Sequence, residues 1–254
     1  MPRPPLNADK QTRLGGILYL IIMAAGLFSE GYVRGSLVVG QDAAATAHNI
    51  LAHEELYRLG GALEFVTLIC DVCVAFILYN LLKPFSETLA LLAAFFRLMF
   101  AAIYGVISVT HFAPLLLLHG AAGLSSFPPG QRQALALFSL KLHTVGYSIS
   151  LVFFGVHCLL IGGLIAASRL FPRAIGFLLA IAGACYLVDS FASFIAPAVR
   201  AQLFPWFLLP GFVAEAALAL WMTIRGLNMP RWNRLAHVGA DGASTKGSEA
   251  QLQK

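Results

Sequence analysis

Six stretches of about 20 apolar residues recur along the chain, and this feature restricts its fold more than any other. A helix needs about 20 residues to cross roughly 30 Å of hydrocarbon, and lipid offers no partner to a backbone outside a helix or closed barrel. The stretches lie near residues 14–33, 60–82, 88–113, 142–167, 174–195 and 207–224. The sequence therefore predicts an all-α, polytopic membrane helix bundle with six transmembrane helices.

The composition agrees with this fold and excludes several others. Of the 254 residues, 59% are apolar and 11% are charged, whereas soluble domains carry about 25% charged residues. A soluble enzyme, a disordered protein and a disulfide-rich secreted module are thus excluded. The net charge of +5 comes from basic residues in short, separate segments. Because they form no patch, we expect a lipid bilayer and no nucleic acid as the partner.

The segments outside the spans give the expected domain organisation. Residues 14–225 form one membrane domain between a cytoplasmic segment, 1–13, and a cytoplasmic tail, 226–254, which is expected to be disordered from residue 239. Asp42 can cap the N-terminus of an alanine-rich helix in which Glu54 and Arg58 pair at i,i+4. We expect residues 43–58 to form an interfacial amphipathic helix that leads into the second span.

The Lys and Arg residues predict the orientation, since cytoplasmic loops of membrane proteins carry an excess of them. With the N-terminus inside, eleven lie in inner segments: Arg3, Lys10, Arg13, Lys83, Arg169, Arg173, Arg225, Arg231, Arg234, Lys246 and Lys254. Five lie in outer segments: Arg34, Arg58, Arg132, Lys141 and Arg200. Six spans then place both termini in the cytoplasm and the protein in the plasma or inner membrane of the cell.

Several short motifs resemble one known family. They are Arg13-x-Gly15-x-x-x-Tyr19, Asp42-Ala-Ala-Ala-Thr46 with Asn49, Tyr79-x-Leu81-Leu82, Arg97 and, most strongly, the run Phe153–Ser190. With these motifs the sequence resembles domain-of-unknown-function family 4386, a group of uncharacterised, mainly bacterial multi-pass proteins. The resemblance covers residues 13–225 and implies a small integral membrane protein. It implies no activity.

Apart from Glu30, which lies near an outer end, five charged residues lie inside the predicted spans, where an unpaired charge is costly. They are Glu64, Asp71, Arg97, Asp189 and Glu215. At roughly 2.5–3.5 kcal/mol for each central charge, five unpaired charges would cost on the order of 12–17 kcal/mol. These groups must therefore pair, take up a proton or face water. Asp71 and Arg97 lie on neighbouring antiparallel helices, both near the midplane of the bilayer, so we expect them to form an ion pair. This pair either takes part in function or only fixes the packing of the two helices.

Depth along the helices arranges the ionisable residues in two layers. The outer layer contains Glu30, Glu64, His111, His143 and Asp189, and the central layer contains Asp71, Arg97, His157 and Glu215. Acidic groups stacked with histidines suit a proton or cation path, a metal site, or buried polar contacts that only hold helices together. The candidates for a ligand or ion path are Glu64, Asp71, Arg97, His111, His157, Asp189 and Glu215. No catalytic residue, metal ligand or cofactor is assigned.

Three functions remain open at the level of sequence. The favoured one is a transporter or permeation protein for a small solute, a cation or protons, which predicts a cavity reaching Glu64 and Asp71. The second is a membrane-embedded enzyme that acts on a lipid-like substrate. It requires His111, His143 or His157 to lie next to a carboxylate. The common hydrolase and nucleotide-binding motifs are missing from the sequence, which argues against an enzyme. The third is a non-catalytic sensor, immunity or assembly component with filled helix packing.

A stripe of small residues bears on assembly. Gly176, Ala180 and Ala184 recur every four positions on the fifth span. Such a face allows close helix approach, either within the chain or between two copies in a homo-oligomer. The sequence identifies no soluble partner.

Overall fold

The computed structural model describes residues 8–121, 123–124, 126–203 and 206–237, and almost all of them are helical. The first helix, α1 (Ala8–Gly26), continues without a break through a π-helical segment (Leu27–Arg34) into the single turn α2 (Gly35–Leu37). The remaining helices are α3 (Ala43–Ala52), α4 (Glu54–Leu82), α5 (Glu87–Ile107), α6 (Val109–Leu118), α7 (Pro129–Ser168), α8 (Arg173–Ile195), α9 (Pro197–Leu203) and α10 (Leu209–Ile224). No strand occurs in these ranges, so the all-α prediction is confirmed.

Five helical stretches are long and apolar enough to cross a membrane. They are Ala8–Leu37, Glu54–Leu82, Glu87–Leu118, Pro129–Ser168 and Arg173–Ile195. The sixth predicted span corresponds to α10, which has 16 residues and is about 24 Å long. A 3₁₀ turn, Trp206–Leu208, precedes α10 and adds about 6 Å. The chain is a multi-pass membrane protein, and the count of six spans stays a prediction.

The long helices form a closed ring. Each of α1, α4, α5, α7, α8 and α10 packs against two others of the set, in the order α1–α4–α5–α7–α8–α10 and back to α1. Helix α7 has 40 residues and is about 60 Å long, so it extends well beyond a bilayer core of roughly 30 Å. Helices α3 and α6 pack against α7 and each other, with buried side chains such as Ile50 and Leu115 in a small second core. The ring leaves a space at its centre, which contains the candidate site.

The amphipathic helix expected at 43–58 exists in part. Helix α3 begins where Asp42 accepts a hydrogen bond from the backbone N–H of Ala45 (2.9 Å), which confirms the predicted cap. The Arg58 Nε–Glu54 Oε1 bond of 2.7 Å confirms the predicted pair. The predicted extent was wrong, because the helix is interrupted at His53 and α4 starts at Glu54.

Helices α7 and α8 approach closely through glycines. A Cβ atom added to Gly162 would lie 2.6 Å from the carbonyl oxygen of Gly176 and 2.8 Å from the backbone nitrogen of Ala180. Part of the predicted small-residue face thus packs within the chain. Association of two copies through this face stays a prediction.

The chain after α10 folds back onto the bundle. Residues 229–237 are helical, and the indole Nε1 of Trp232 donates a hydrogen bond to the carbonyl oxygen of Leu81 at the end of α4 (3.1 Å). The backbone N–H of Asn228 bonds to the carbonyl oxygen of Leu170 (3.1 Å). The disorder expected from residue 239 lies outside the described residues. The predicted domain boundaries stay predictions.

Candidate functional site

The predicted ion pair between Asp71 of α4 and Arg97 of α5 is present at the centre of the ring. Arg97 donates from Nε (2.9 Å) and from Nη2 (2.5 Å), and both bonds end on Oδ1 of Asp71. Asp71 is 1% exposed and Arg97 is 0% exposed. Two buried opposite charges in direct contact avoid much of the cost of an unpaired charge in lipid. The pair therefore explains how the bilayer tolerates both residues.

His157 of α7 orients the guanidinium of Arg97. Its Nδ1 lies 2.8 Å from the carbonyl oxygen of Ala93, which can only accept, so Nδ1 carries the hydrogen. The lone pair of Nε2 then accepts a hydrogen bond from Nη1 of Arg97, at 3.3 Å. Neutral His157 thus connects a backbone carbonyl of α5 to the central ion pair.

Two aromatic rings contact the same guanidinium. The Cζ atom of Arg97 lies 4.7 Å from the ring centre of Tyr19 on α1 and 5.4 Å from that of Phe154 on α7. Ring faces attract cations at such distances, most strongly when water is excluded. Side chains from three other helices, α1, α4 and α7, therefore fix the position of Arg97.

A cavity of about 280 Å³ lies beside this pair. Its charged lining residues are Glu30, Asp71, Arg97 and Glu215, and its aromatic ones are Phe100, Tyr104, Tyr147, Phe154, Tyr186 and Phe212. The second carboxylate oxygen of Asp71, Oδ2, is buried and has no hydrogen-bond partner among the described residues. Glu215 Oε1 accepts a hydrogen bond from the hydroxyl of Tyr186 at 2.5 Å. Asp71 is thus a lining residue with one carboxylate oxygen that no group among the described residues uses.

The outer layer forms a second cluster, contributed by four helical segments. Glu64 Oε1 of α4 lies 3.0 Å from Nδ1 of His111 on α6 and 3.5 Å from Nη2 of Arg34. Arg34 Nε lies 3.1 Å from Glu30 Oε2, one turn earlier in the π-helical segment. His143 Nε2 of α7 lies 3.8 Å from Glu64 Oε1 and 3.9 Å from Glu30 Oε1. We call these five residues, Glu30, Arg34, Glu64, His111 and His143, the outer cluster.

Hydrogen bonds to the backbone hold His111 in the outer cluster. Its Nε2 lies 3.2 Å from the carbonyl oxygen of Tyr57, so Nε2 carries a hydrogen. The hydroxyl of Tyr57 in turn donates to the carbonyl oxygen of His111 (2.5 Å), and the two rings are stacked. The remaining nitrogen, Nδ1, lies 3.2 Å from Nη2 of Arg34, from which neutral His111 accepts a hydrogen bond, and 3.0 Å from Glu64 Oε1.

The structure brings six of the seven predicted candidates together in two sites. Asp71, Arg97, His157 and Glu215 lie at or beside the cavity, whereas Glu64 and His111 lie in the outer cluster. The seventh, Asp189 of α8, forms a separate bidentate pair with Arg200 of α9, at 3.1 and 3.2 Å. Asp189 was predicted to share a layer with Glu30, Glu64, His111 and His143, but its ion-pair partner, Arg200, is not a residue of that layer.

Arg34 is the residue of the outer cluster that the sequence did not predict. It was assigned to an outer connection, because the first span was predicted to end at residue 33. The helix continues to Leu37, so Arg34 stays within it and points to Glu30 and Glu64. The i,i+4 spacing from Glu30 to Arg34 was the available signal.

The chain matches one family model and one curated relative. The model, described as "Domain of unknown function (DUF4386)", matches residues 14–226. An uncharacterized protein of Archaeoglobus fulgidus is 29% identical over 165 residues, which cover 64% of this chain and 80% of the relative. No solved structure matches the chain.

Proposed function

The chain belongs to the DUF4386 family, as its motifs predicted, and from this premise we propose that it is a transporter or permeation protein that binds a small organic cation within the bilayer. The family description supplies no activity, so the proposal comes from the cavity. The sequence had left open a small solute, a cation or protons as the transported species.

The charges that line the cavity carry the proposal. Three carboxylates, of Glu30, Asp71 and Glu215, face one guanidinium, that of Arg97. Arg97 pairs with Asp71, and Glu30 pairs with Arg34 outside the lining. Glu215 takes part in none of the ion pairs of the described residues. Because a buried negative charge favours a positive partner, the cavity suits a cation.

The aromatic lining supports an organic cation. Six rings surround the cavity, and an ammonium group gains from contact with ring faces, by about 2 kcal/mol or more where water is excluded. Metal ions need several strong oxygen or nitrogen ligands instead. A volume of about 280 Å³ is at the lower end for ligand pockets, which typically hold roughly 300–1,000 Å³, so the ligand is small.

The cavity also weighs against the other functions. A non-catalytic structural component predicts filled helix packing, which a lined cavity at the centre of the ring does not support. The cavity reaches Asp71, as the transport hypothesis expects, whereas Glu64 lies in the outer cluster next to the lining residue Glu30. The enzyme hypothesis keeps one supporting observation, the approach of His143 to two carboxylates.

The orientation and location of the protein belong to the same proposal. Both termini lie in the cytoplasm, and the membrane is the plasma or inner membrane of the cell. The excess of Lys and Arg in the predicted inner segments, eleven against five, supports this orientation. Cysteine labelling at each end of the chain in intact cells, with an impermeant reagent, tests it.

Binding of tetramethylammonium and uptake of radiolabelled methylammonium test the proposed function. The full chain in detergent is titrated by calorimetry, and the same protein in liposomes is assayed for uptake. We expect Glu215→Gln, which keeps the hydrogen-bond acceptor for Tyr186 but removes the charge, to weaken binding at least about tenfold. Asp189→Asn, a change of a buried carboxylate outside the cavity, serves as the matched control and should bind normally. Absence of binding, or flux that is equal in all three proteins, would contradict the proposal.

A further inference from the structure

We infer that Glu30, Glu64 and His143 in the outer cluster form a binding site for one divalent transition-metal ion, of the zinc, cobalt or manganese type. One ligand atom from each residue lies within 4.8 Å of the other two. The three residues come from the π-helical segment, α4 and α7, so the site forms only when the ring of helices is assembled. This inference does not depend on organic-cation binding in the cavity.

The spacing of these atoms fits a metal ion better than direct hydrogen bonds. His143 Nε2 lies 3.8 Å from Glu64 Oε1 and 3.9 Å from Glu30 Oε1, which is too long for hydrogen bonds. Ligand atoms held about 2.0–2.2 Å from zinc are separated by about 3.3–3.6 Å from each other. The two distances from His143 Nε2 therefore exceed the spacing of ligand atoms around an ion by only a few tenths of an ångström.

Unpartnered polar atoms point to a ligand at this place. The side chains of Glu64 and His143 are 0% and 2% exposed. Nε2 of His143 and Oε1 of Glu30 have no hydrogen-bond partner among the described residues. Buried polar groups are nearly always satisfied, so this concentration of free acceptors calls for a bound species. A metal ion satisfies lone pairs from all three side chains at once.

The charges of the outer cluster also favour a cation. Two carboxylates, of Glu30 and Glu64, face a single guanidinium, that of Arg34. With neutral histidines, one negative charge is left in a largely buried position. A nitrogen ligand among the three favours transition ions over calcium or magnesium, which prefer oxygen.

The neighbouring cavity supplies access. The Glu30 side chain is 41% exposed and is one of the lining residues of the cavity. Three protein ligands leave at least one coordination position for water or for a group entering from the cavity. This open position is what the enzyme hypothesis requires, whereas a site closed by four protein ligands is structural.

Cobalt binding to the full chain tests the inference. The protein is purified in detergent without an oligohistidine tag, freed of metal with a chelator, and equilibrated with Co²⁺. We expect one cobalt per chain by mass spectrometry of the metal, together with the visible absorption of cobalt that is coordinated by protein. His143→Gln should weaken binding about 100-fold, and Zn²⁺ but not Mg²⁺ should displace the cobalt.

Two further variants keep the test decisive. Glu30→Gln changes a partly exposed side chain and should weaken binding at least about tenfold, so it replaces His143→Gln if that protein does not fold. His119→Gln removes a histidine that is 51% exposed and lies outside the site, and it should bind normally. Substoichiometric cobalt, equal binding by His143→Gln, or loss of cobalt in His119→Gln would overturn the inference. Failure here, with tetramethylammonium still bound, would leave the proposed function standing.

Discussion

Arg97 donates two hydrogen bonds to a single oxygen of Asp71, and the second oxygen of that carboxylate has no partner. In a bidentate pair, two guanidinium nitrogens bind the two carboxylate oxygens separately, and neither oxygen then lacks a partner. The observed arrangement neutralises the buried charge and keeps an acceptor beside the cavity. The pair therefore holds α4 to α5 and still leaves one carboxylate oxygen unused, so the two roles that the sequence posed as alternatives are compatible.

Replacing Arg97 by Gln should destabilise the protein strongly. Breaking a buried pair leaves Asp71 as an uncompensated charge, which costs about 3–5 kcal/mol. Unfolding in detergent, followed by circular dichroism, measures the loss. Adding Asp71→Asn should recover part of it, because no buried charge then remains. Equal stability of Arg97→Gln and the unmodified protein would show that the contact contributes nothing.

Replacing Gly162 by Ala should separate α7 from α8. The added methyl group would lie 2.6 Å from the carbonyl oxygen of Gly176, and backbone cannot move aside cheaply. We expect a loss of about 1–3 kcal/mol, measured as a lower thermal midpoint. Gly163 is the matched control, because no atom lies within 4 Å of a Cβ built there. Gly163→Ala should be neutral or stabilising by up to about 1 kcal/mol, since Ala favours helix.

Replacing Tyr186 by Phe should remove one of the hydrogen bonds that Glu215 accepts. The hydroxyl of Tyr186 donates to Oε1 of this buried carboxylate, and its loss should cost about 1–3 kcal/mol. The same substitution in a Glu215→Leu background should cost much less, because the acceptor is then gone. Thermal unfolding of the four proteins gives the coupling energy. A coupling near zero would mean that the hydroxyl serves another partner.

Replacing Trp232 by Phe should loosen the segment that follows α10. The indole N–H is bonded to the carbonyl oxygen of Leu81, and the phenyl ring cannot donate. We expect about 1 kcal/mol less protection of residues 229–237 from hydrogen exchange, measured by mass spectrometry. Trp206→Phe is the control, because Trp206 is 71% exposed. Unchanged exchange in Trp232→Phe would mean that other contacts hold the segment.

Much of the fold follows from one-dimensional features of the sequence. The length of the apolar stretches predicted the long helices, and counting residues from span ends put Asp71 level with Arg97. The cap at Asp42 follows from local hydrogen bonding. These features need only the position of a residue along its own helix, which the sequence contains.

The rest depends on the rotation and continuity of helices. Its position along the helix axis put Asp189 in the same layer as Glu64. The rotation of α8 about its own axis, however, directs the side chain of Asp189 to Arg200. The i,i+4 pair of Glu54 and Arg58 favours helix without saying where that helix begins, so the interruption at His53 was not foreseen. The π-helical segment, which keeps Arg34 inside the first helix, widens the turn by hydrogen bonds from i to i+5 and leaves no clear sequence pattern.

The closed ring has a consequence for the synthesis and assembly of the protein in the membrane. Of the six helices in the ring, α1 is synthesised before the others, yet one of its two neighbours, α10, is synthesised after all the others. Gly16 lies against the backbone of α10 at Ala219 and Thr223, and Arg13 donates to carbonyl oxygens at the end of that helix. This face of α1 therefore has only lipid or a chaperone to cover it until α10 has been made. The ring closes only when α10 joins α1, so a chain truncated before α10 has no helix to close it.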